Sequence, residues 1–244
     1  MSQSSTNPFS AMPTLPNVLY LSFIATTLLG GWLFYRAANS SGRVLGVLGL
    51  WLLVQSLLAL SGFYTVAASR PPRLLLALLP PLLVIAALFN TEAGRRFLDG
   101  LRLDRLTLVH LLRVPVELVL FWLFLHKAVP QLMTFEGRNY DVLSGLSAPV
   151  VYYLAFRGRQ MGWRGLLAWN IGCLLLLLNI VVNAVLSAPT VVQQFAFDQP
   201  NVAILYFPFI ALPSCLVPLV ALAHLAAIRR LVRERAAAVL PLPG

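Results

Sequence analysis

The chain has 244 residues, of which 59% are hydrophobic and 11% charged, and its formal net charge is +10. Soluble domains carry about 25% charged residues, so this composition excludes an ordinary water-soluble protein. The apolar residues form long runs, such as that from Leu74 to Asn90, without the alternation typical of membrane β-strands. The sequence therefore predicts an all-α, polytopic integral membrane protein.

The positive charge comes from Arg residues that flank the apolar runs, together with a single Lys, Lys127. Basic residues at helix ends set membrane orientation and attract anionic lipid heads. We therefore expect anionic lipids on the inner face as partners, and no nucleic acid. The sequence lacks HExxH, P-loop and GxGxxG motifs, and its two cysteines have no CxxC spacing. From these absences we expect no cofactor and no metal site, and the sequence identifies no catalytic residue.

Residues 1–16 are polar and rich in Ser, Thr and Pro, which predicts a disordered N-terminal segment. Residues 17–228 are predicted to form a single transmembrane domain, followed by a basic cytoplasmic tail over residues 229–244. Length and hydropathy predict seven transmembrane helices, which cover about 17–35, 44–66, 74–90, 106–126, 141–156, 165–187 and 202–228.

The distribution of basic residues predicts the orientation of these seven spans. With the N-terminus outside, the inner loops and tail hold thirteen Arg: Arg36, Arg43, Arg95, Arg96, Arg102, Arg105, Arg157, Arg159, Arg164, Arg229, Arg230, Arg233 and Arg235. The outer loops hold four basic residues: Arg70, Arg73, Lys127 and Arg138. This asymmetry follows the positive-inside rule, with the C-terminus in the cytoplasm. The expected location is the plasma (inner) membrane.

The fourth predicted span contains two opposite charges, Arg113 and Glu117, with His110 one turn earlier. A charge at the centre of a membrane helix costs roughly 2.5–3.5 kcal/mol on insertion scales, so it usually has a partner or a function. Helical periodicity places all three side chains on one face, and Arg113 and Glu117 have the spacing of an i,i+4 ion pair. The sequence predicts an intramembrane ligand or proton site here, or an ion pair that serves only packing.

Three further groups of polar residues accompany this site. Asn179 and Asn183 are one turn apart in the sixth span and are predicted to orient a ligand beside Glu117, or to join helices by hydrogen bonds. His224 lies near the inner end of the last span, at a depth similar to that of His110. The outer segment before span five is a possible gate, or a solvated loop, and contains Glu136, Arg138, Asn139 and Asp141.

Three functions fit these patterns. The first is a small transporter-like or ligand-binding bundle, in which Glu117 carries a proton or cation and Arg113 holds an unknown small ligand. The second is a membrane-embedded enzyme that acts on a lipid or isoprenoid-like substrate through His110, Glu117 and His224. The third is a structural or assembly subunit, in which the Arg113–Glu117 pair only packs helices. The absence of a recognisable nucleophile–base pair favours a protein that is not an enzyme.

Overall fold

The computed structural model describes residues 12–66 and 69–239, and every regular element in these ranges is helical. This confirms the predicted all-α class. The predicted disordered segment and the end of the predicted tail lie largely outside the described residues, at 1–11 and 240–244.

Nine α-helices follow one another in the described part of the chain. They are α1 (Asn17–Ala37), α2 (Gly42–Leu60), α3 (Leu75–Asn90), α4 (Glu92–Gly100), α5 (Leu103–Val109), α6 (Arg113–Leu125), α7 (Val142–Tyr152), α8 (Trp163–Ser187) and α9 (Val217–Val239). The 3₁₀ turn His110–Leu112 joins α5 to α6. The π-helical turns Tyr153–Arg157 and Leu212–Leu216 extend α7 and precede α9, respectively.

Five helices are long and apolar enough to cross a bilayer: α1, α2, the joined α5–α6, α8, and the segment Leu212–Glu234 that includes most of α9. They identify the chain as an integral membrane protein of the multi-pass helical type. α3 and α4 together form a pair bent by 93°, and the apolar helix Val142–Arg157 is shorter than the five. The last span begins later than predicted, because residues 203–210 form a 3₁₀ turn and further turns before the helix starts.

The centre of the bundle is built by α1, the joined α5–α6 and the last helix. α1 packs along α5 and α6, while α8 packs along α9. α2 lies at the periphery, and its Leu50, Leu53 and Leu57 are exposed. Exposed leucines on a membrane-length helix are suited to contact with lipid.

Prolines inside the helices leave carbonyl groups that other residues satisfy. Pro218 has no N–H to donate to the carbonyl of Ser214, four residues earlier. Trp51 of α2 donates its indole N–H to that carbonyl, at 2.8 Å. The lost helical hydrogen bond is thereby replaced by one that fixes α2 against the last helix. Likewise, Pro115 removes the donor for the carbonyl of Leu111, and the chain tightens there into a 3₁₀ turn.

The bend between α3 and α4 depends on a close approach at Gly94. The Thr91 hydroxyl accepts a hydrogen bond from the Gly94 backbone N–H at 3.1 Å and so caps α4. A Cβ atom on Gly94 would meet the backbone of Leu88, with its Cα only 2.4 Å away. The two helices can therefore fold back on each other only because residue 94 has no side chain.

Asp99 attaches α4 to the C-terminal half of α9. Its carboxylate accepts hydrogen bonds from Arg233 and, at 3.3 Å, from Arg229. Slight burial opposes ionisation, but these two guanidinium groups outweigh it and lower the pKa of Asp99 below its ordinary value. Ionised Asp99 thus holds α4 and α9 together above the pKa of an ordinary Asp.

Replacing Gly94 by Ala should destabilise the protein by roughly 1–3 kcal/mol, because the methyl group forces the α3–α4 backbones apart. Gly100→Ala is the matched control, since it lies in the same helix and its Cβ would meet nothing within 4 Å. Reversible unfolding in detergent should separate the two variants. Equal stability of both would contradict the close approach at the bend.

Candidate functional site

Arg113 lies in the middle of the bundle and is 5% exposed. Its guanidinium forms a buried ion pair with Asp141, the residue that precedes α7. It also lies 3.0 Å from Nε2 of His224, and 3.5 Å from the carbonyl oxygen of Cys173 in α8. One side chain at the start of α6 therefore binds groups from α7, α8 and α9. The predicted ion pair with Glu117 is wrong, because the partner of Arg113 is Asp141.

Glu117, which is 3% exposed, is held by neutral donors rather than by a cation. One carboxylate oxygen accepts a hydrogen bond from the backbone N–H of Phe135 at 2.6 Å, and the other accepts one from the side-chain amide of Asn139. No Arg, Lys or His of the described residues lies within ion-pair distance of this carboxylate. When Glu117 is ionised, no positively charged side chain among the described residues therefore lies beside it to balance its charge.

The segment that joins α6 to α7 folds into the bundle. The Asn139 amide donates to Glu117 and, at 3.1 Å, to the carbonyl oxygen of Met133. Its own oxygen accepts a hydrogen bond from the backbone N–H of Asp141 at 3.2 Å. Gly137 allows the tight fold, since a Cβ there would lie 2.3 Å from the carbonyl oxygen of Gln131.

The four residues predicted as an outer gate therefore divide into two pairs. Asn139 and Asp141 are buried in the polar site, whereas Glu136 and Arg138 are exposed. The Arg138 guanidinium lies 5.6 Å from the centre of the Phe195 ring. The segment is therefore only partly exposed to solvent, since two of its four polar residues belong to the buried site.

His110 and His224 are stacked, with ring centroids 3.8 Å apart and planes inclined by 13°. Because a guanidinium can only donate, Nε2 of His224 must accept from Arg113. Its Nδ1, which is 2.9 Å from the side-chain oxygen of Asn170, then carries the proton and donates to that oxygen. The geometry fixes the neutral Nδ1–H tautomer of His224.

His110 is fully buried, and both of its ring nitrogens lack a hydrogen-bond partner among the described residues. The edge of the Trp169 ring system lies against it, with centroids 5.4 Å apart. Such an unpartnered buried imidazole is uncommon, because buried polar atoms usually have a partner. The two stacked histidines therefore differ in hydrogen bonding: His224 has two partners, and His110 has none among the described residues.

Asn179 and Asn183 do not reach Glu117. Asn179 donates to the carbonyl oxygen of Arg138 at 2.9 Å, and Asn183 donates to the backbone oxygen of Asn179 at the same distance. Asn179 thus anchors the outer segment, and Asn183 stabilises its own helix. Among the asparagines of α8, Asn170 is the one that joins the polar site, where its side-chain oxygen accepts a hydrogen bond from His224.

Two small cavities adjoin the charged groups. One of about 40 Å³ is lined by Arg113, Glu117 and Asp141 with aliphatic neighbours, and a second of about 80 Å³ shares Asn139 and Asp141. A single water needs roughly 10–15 Å³ of such space, whereas organic ligands occupy pockets of about 300–1,000 Å³. The site therefore accommodates protons, water or a very small ligand.

Comparisons with known protein families, with curated proteins and with solved structures found no match to this chain. The function proposed below therefore rests on the geometry of the site alone.

A double-mutant cycle should identify the true partner of Arg113. Arg113→Gln alone should cost roughly 3–5 kcal/mol of unfolding free energy, because it leaves Asp141 buried without a cation. Combined with Asp141→Asn, the loss should be much smaller than the sum of the two single losses. The matched cycle with Glu117→Gln should give a clearly weaker coupling, when both are measured by reversible unfolding in mixed micelles. Stronger coupling to Glu117 would contradict the observed pairing.

Proposed function

We propose that this protein is a transporter-like membrane bundle in which Glu117 carries a proton. The observation that supports this most directly is the environment of Glu117, a buried carboxyl with two neutral donors, no cationic partner among the described residues and a small, mostly aliphatic cavity beside it. Ionisable groups inside membrane bundles commonly belong to ion pathways and proton relays.

The charge balance of the site favours proton exchange at Glu117. Arg113 and Asp141 neutralise each other, so the net charge of these three groups equals that of Glu117. An isolated carboxylate in apolar surroundings carries a large desolvation cost, which protonation removes. Proton uptake and release at Glu117 thus switch the core between neutral and negative, whereas Arg113 and Asp141 keep their charges.

The histidines supply an acceptor on the other side of Arg113. His224 is fixed as a neutral tautomer by Arg113 and Asn170, while His110 has two ring nitrogens without a partner. His110 lies nearly two turns before Glu117 in the chain and so nearer the start of the α5–α6 span. We assign it as the inner acceptor of the pathway, with Asn139 and the segment around it on the outer side.

The proposal includes the complete topology: seven spans in a plasma (inner) membrane, with the N-terminus outside and the C-terminus inside. α3, from which α4 turns away by 93°, and the shorter helix Val142–Arg157 would add the sixth and seventh crossings to the five long helices. The thirteen-to-four distribution of basic residues supports this arrangement. In this arrangement the segment 131–141 lies outside, and protons would reach Glu117 from that side. The Arg-rich loops would lie against anionic lipid heads.

A structural or assembly subunit is the second candidate, favoured by the near-complete hydrogen bonding of Glu117 and Asp141 and by the small size of the cavities. Exchanging the partners by Arg113→Asp with Asp141→Arg would preserve a packing role, but it would remove the guanidinium that fixes the tautomer of His224 and so disrupt the proposed proton pathway. The enzyme interpretation has less support. No group of three or more His, Cys, Asp or Glu among the described residues is arranged to hold a metal ion.

Infrared difference spectroscopy can test the proton site without a known substrate. We expect a protonated-carboxyl stretching band that appears on acidification and shifts after exchange into D₂O, because the cavity connects Glu117 to exchangeable protons. The band should disappear in Glu117→Gln while the protein still folds. Measurements are made on the full chain in nanodiscs.

Glu136→Gln is the matched control, because Glu136 belongs to the same outer segment but is exposed. This variant should retain the band unchanged. A band that persists in Glu117→Gln, or one that never exchanges with D₂O in the unmodified protein, would refute Glu117 as the proton carrier.

A further inference from the structure

A groove of about 390 Å³ lies between α2 and α3, away from the polar site. Its floor is the last helix, including Cys215 and Leu219, and its sides are the first three turns of α2 and the part of α3 from Pro80 to Leu88. This volume falls within the range of small-molecule sites, roughly 300–1,000 Å³, and is far larger than the cavities at Glu117.

The groove opens sideways, towards the surface that faces lipid. Val47 of α2 and Val84 of α3 line it from opposite sides, and they are 68% and 58% exposed. The neighbouring Leu50 and Leu83 are exposed on the same helices. An occupant can therefore enter by lateral diffusion in the bilayer and needs no aqueous path.

The interior of the groove offers no free polar group to a ligand. The backbone carbonyl of Ser214 has no helical donor because Pro218 lacks an N–H. It accepts a hydrogen bond from the indole N–H of Trp51 at 2.8 Å. The Ser214 hydroxyl donates to the carbonyl oxygen of Ile210 at 2.8 Å. The remaining walls are aliphatic, aromatic and proline side chains with the thiol of Cys215, a largely apolar lining that suits a hydrocarbon chain.

One end of the groove has the opposite chemistry. Arg43, in the first turn of α2, is the one charged residue among those that line it, and it has no ion-pair partner among the described residues. The N-cap residue of α2, Ser41, makes no side-chain capping bond, so the first N–H groups of the helix are open to an anion. Phe97 of α4 lies at the same end.

We propose that this groove is a binding site for one anionic glycerophospholipid from the leaflet on the arginine-rich side. An acyl chain would lie between α2 and α3, and the phosphate would contact Arg43 and the start of α2. The distance from Arg43 to Trp51 along the helix is about 12 Å. The end of the acyl chain that lies farther from the phosphate would therefore be beside the Trp51 indole.

The headgroup assignment is tested by native mass spectrometry of the delipidated full chain, titrated with phosphatidylglycerol or with phosphatidylcholine of the same chains. The first phosphatidylglycerol should bind about fivefold more tightly, because one Arg near an anionic lipid gives a modest electrostatic gain. Arg43→Gln should abolish this preference. Equal binding of both lipids by the unmodified protein would overturn the proposal without reference to any variant.

Arg36→Gln provides the matched control, since Arg36 is exposed at the end of α1, close in sequence, and does not line the groove. It should keep the preference for the anionic lipid. If it lowered the preference as much as Arg43→Gln, the attraction would be general to the basic surface and the specific site would be refuted.

The chain position is tested with phospholipids brominated on their acyl chains, which quench tryptophan fluorescence on contact. The saturable part of the quenching should belong to Trp51 and be lost in Trp51→Phe. Val47→Phe, which narrows the entrance, should weaken it severalfold while leaving the Trp51 hydrogen bond in place. Unchanged saturable quenching in both variants would place the lipid chain elsewhere and overturn the assignment.

Discussion

The buried ion pair between Arg113 and Asp141 is the constraint on which the polar core depends. Neither charge can enter the interior of a membrane bundle alone without a cost of several kcal/mol, so each requires the other. Arg113 begins α6 and Asp141 precedes α7, and their contact fixes where α7 starts relative to α6. It also draws the intervening segment against the bundle, which places Asn139 and the Phe135 N–H at Glu117. One electrostatic requirement thereby organises α6, α7 and the segment between them.

This pairing determines the role that is left for the other ionisable groups. Had Arg113 paired with Glu117, the fourth span would be neutral within itself and the segment before α7 would be free in solvent. Because Asp141 satisfies Arg113 instead, Glu117 remains a lone carboxyl held by neutral donors. The same guanidinium fixes the tautomer of His224, whereas His110 has no hydrogen-bond partner in the described part of the chain. These are the asymmetries that the proposed proton pathway requires.

Composition and helical periodicity allowed the fold class and one face of the polar site to be predicted from the sequence. Apolar runs gave the helical membrane class, and the 3.6-residue period placed His110, Arg113 and Glu117 on one face. Periodicity within a helix cannot reveal how that helix is rotated against another. For this reason Asn179 and Asn183 were chosen for the site in place of Asn170. Asp141 was assigned to an outer gate or a solvated loop, because nothing in the sequence indicates that this loop folds inward to meet a buried arginine.

Helix length has a consequence for the bilayer itself. α3 has 16 residues and so a length of about 24 Å, which is less than the roughly 30 Å of a typical hydrocarbon core. In the seven-span arrangement, a helix this short creates hydrophobic mismatch, and the membrane beside it must thin locally. The sharp turn into α4 prevents the helix from lengthening to relieve the mismatch. The stability of this protein should then depend on the acyl-chain length of the host membrane as well as on the charge of the lipid headgroups.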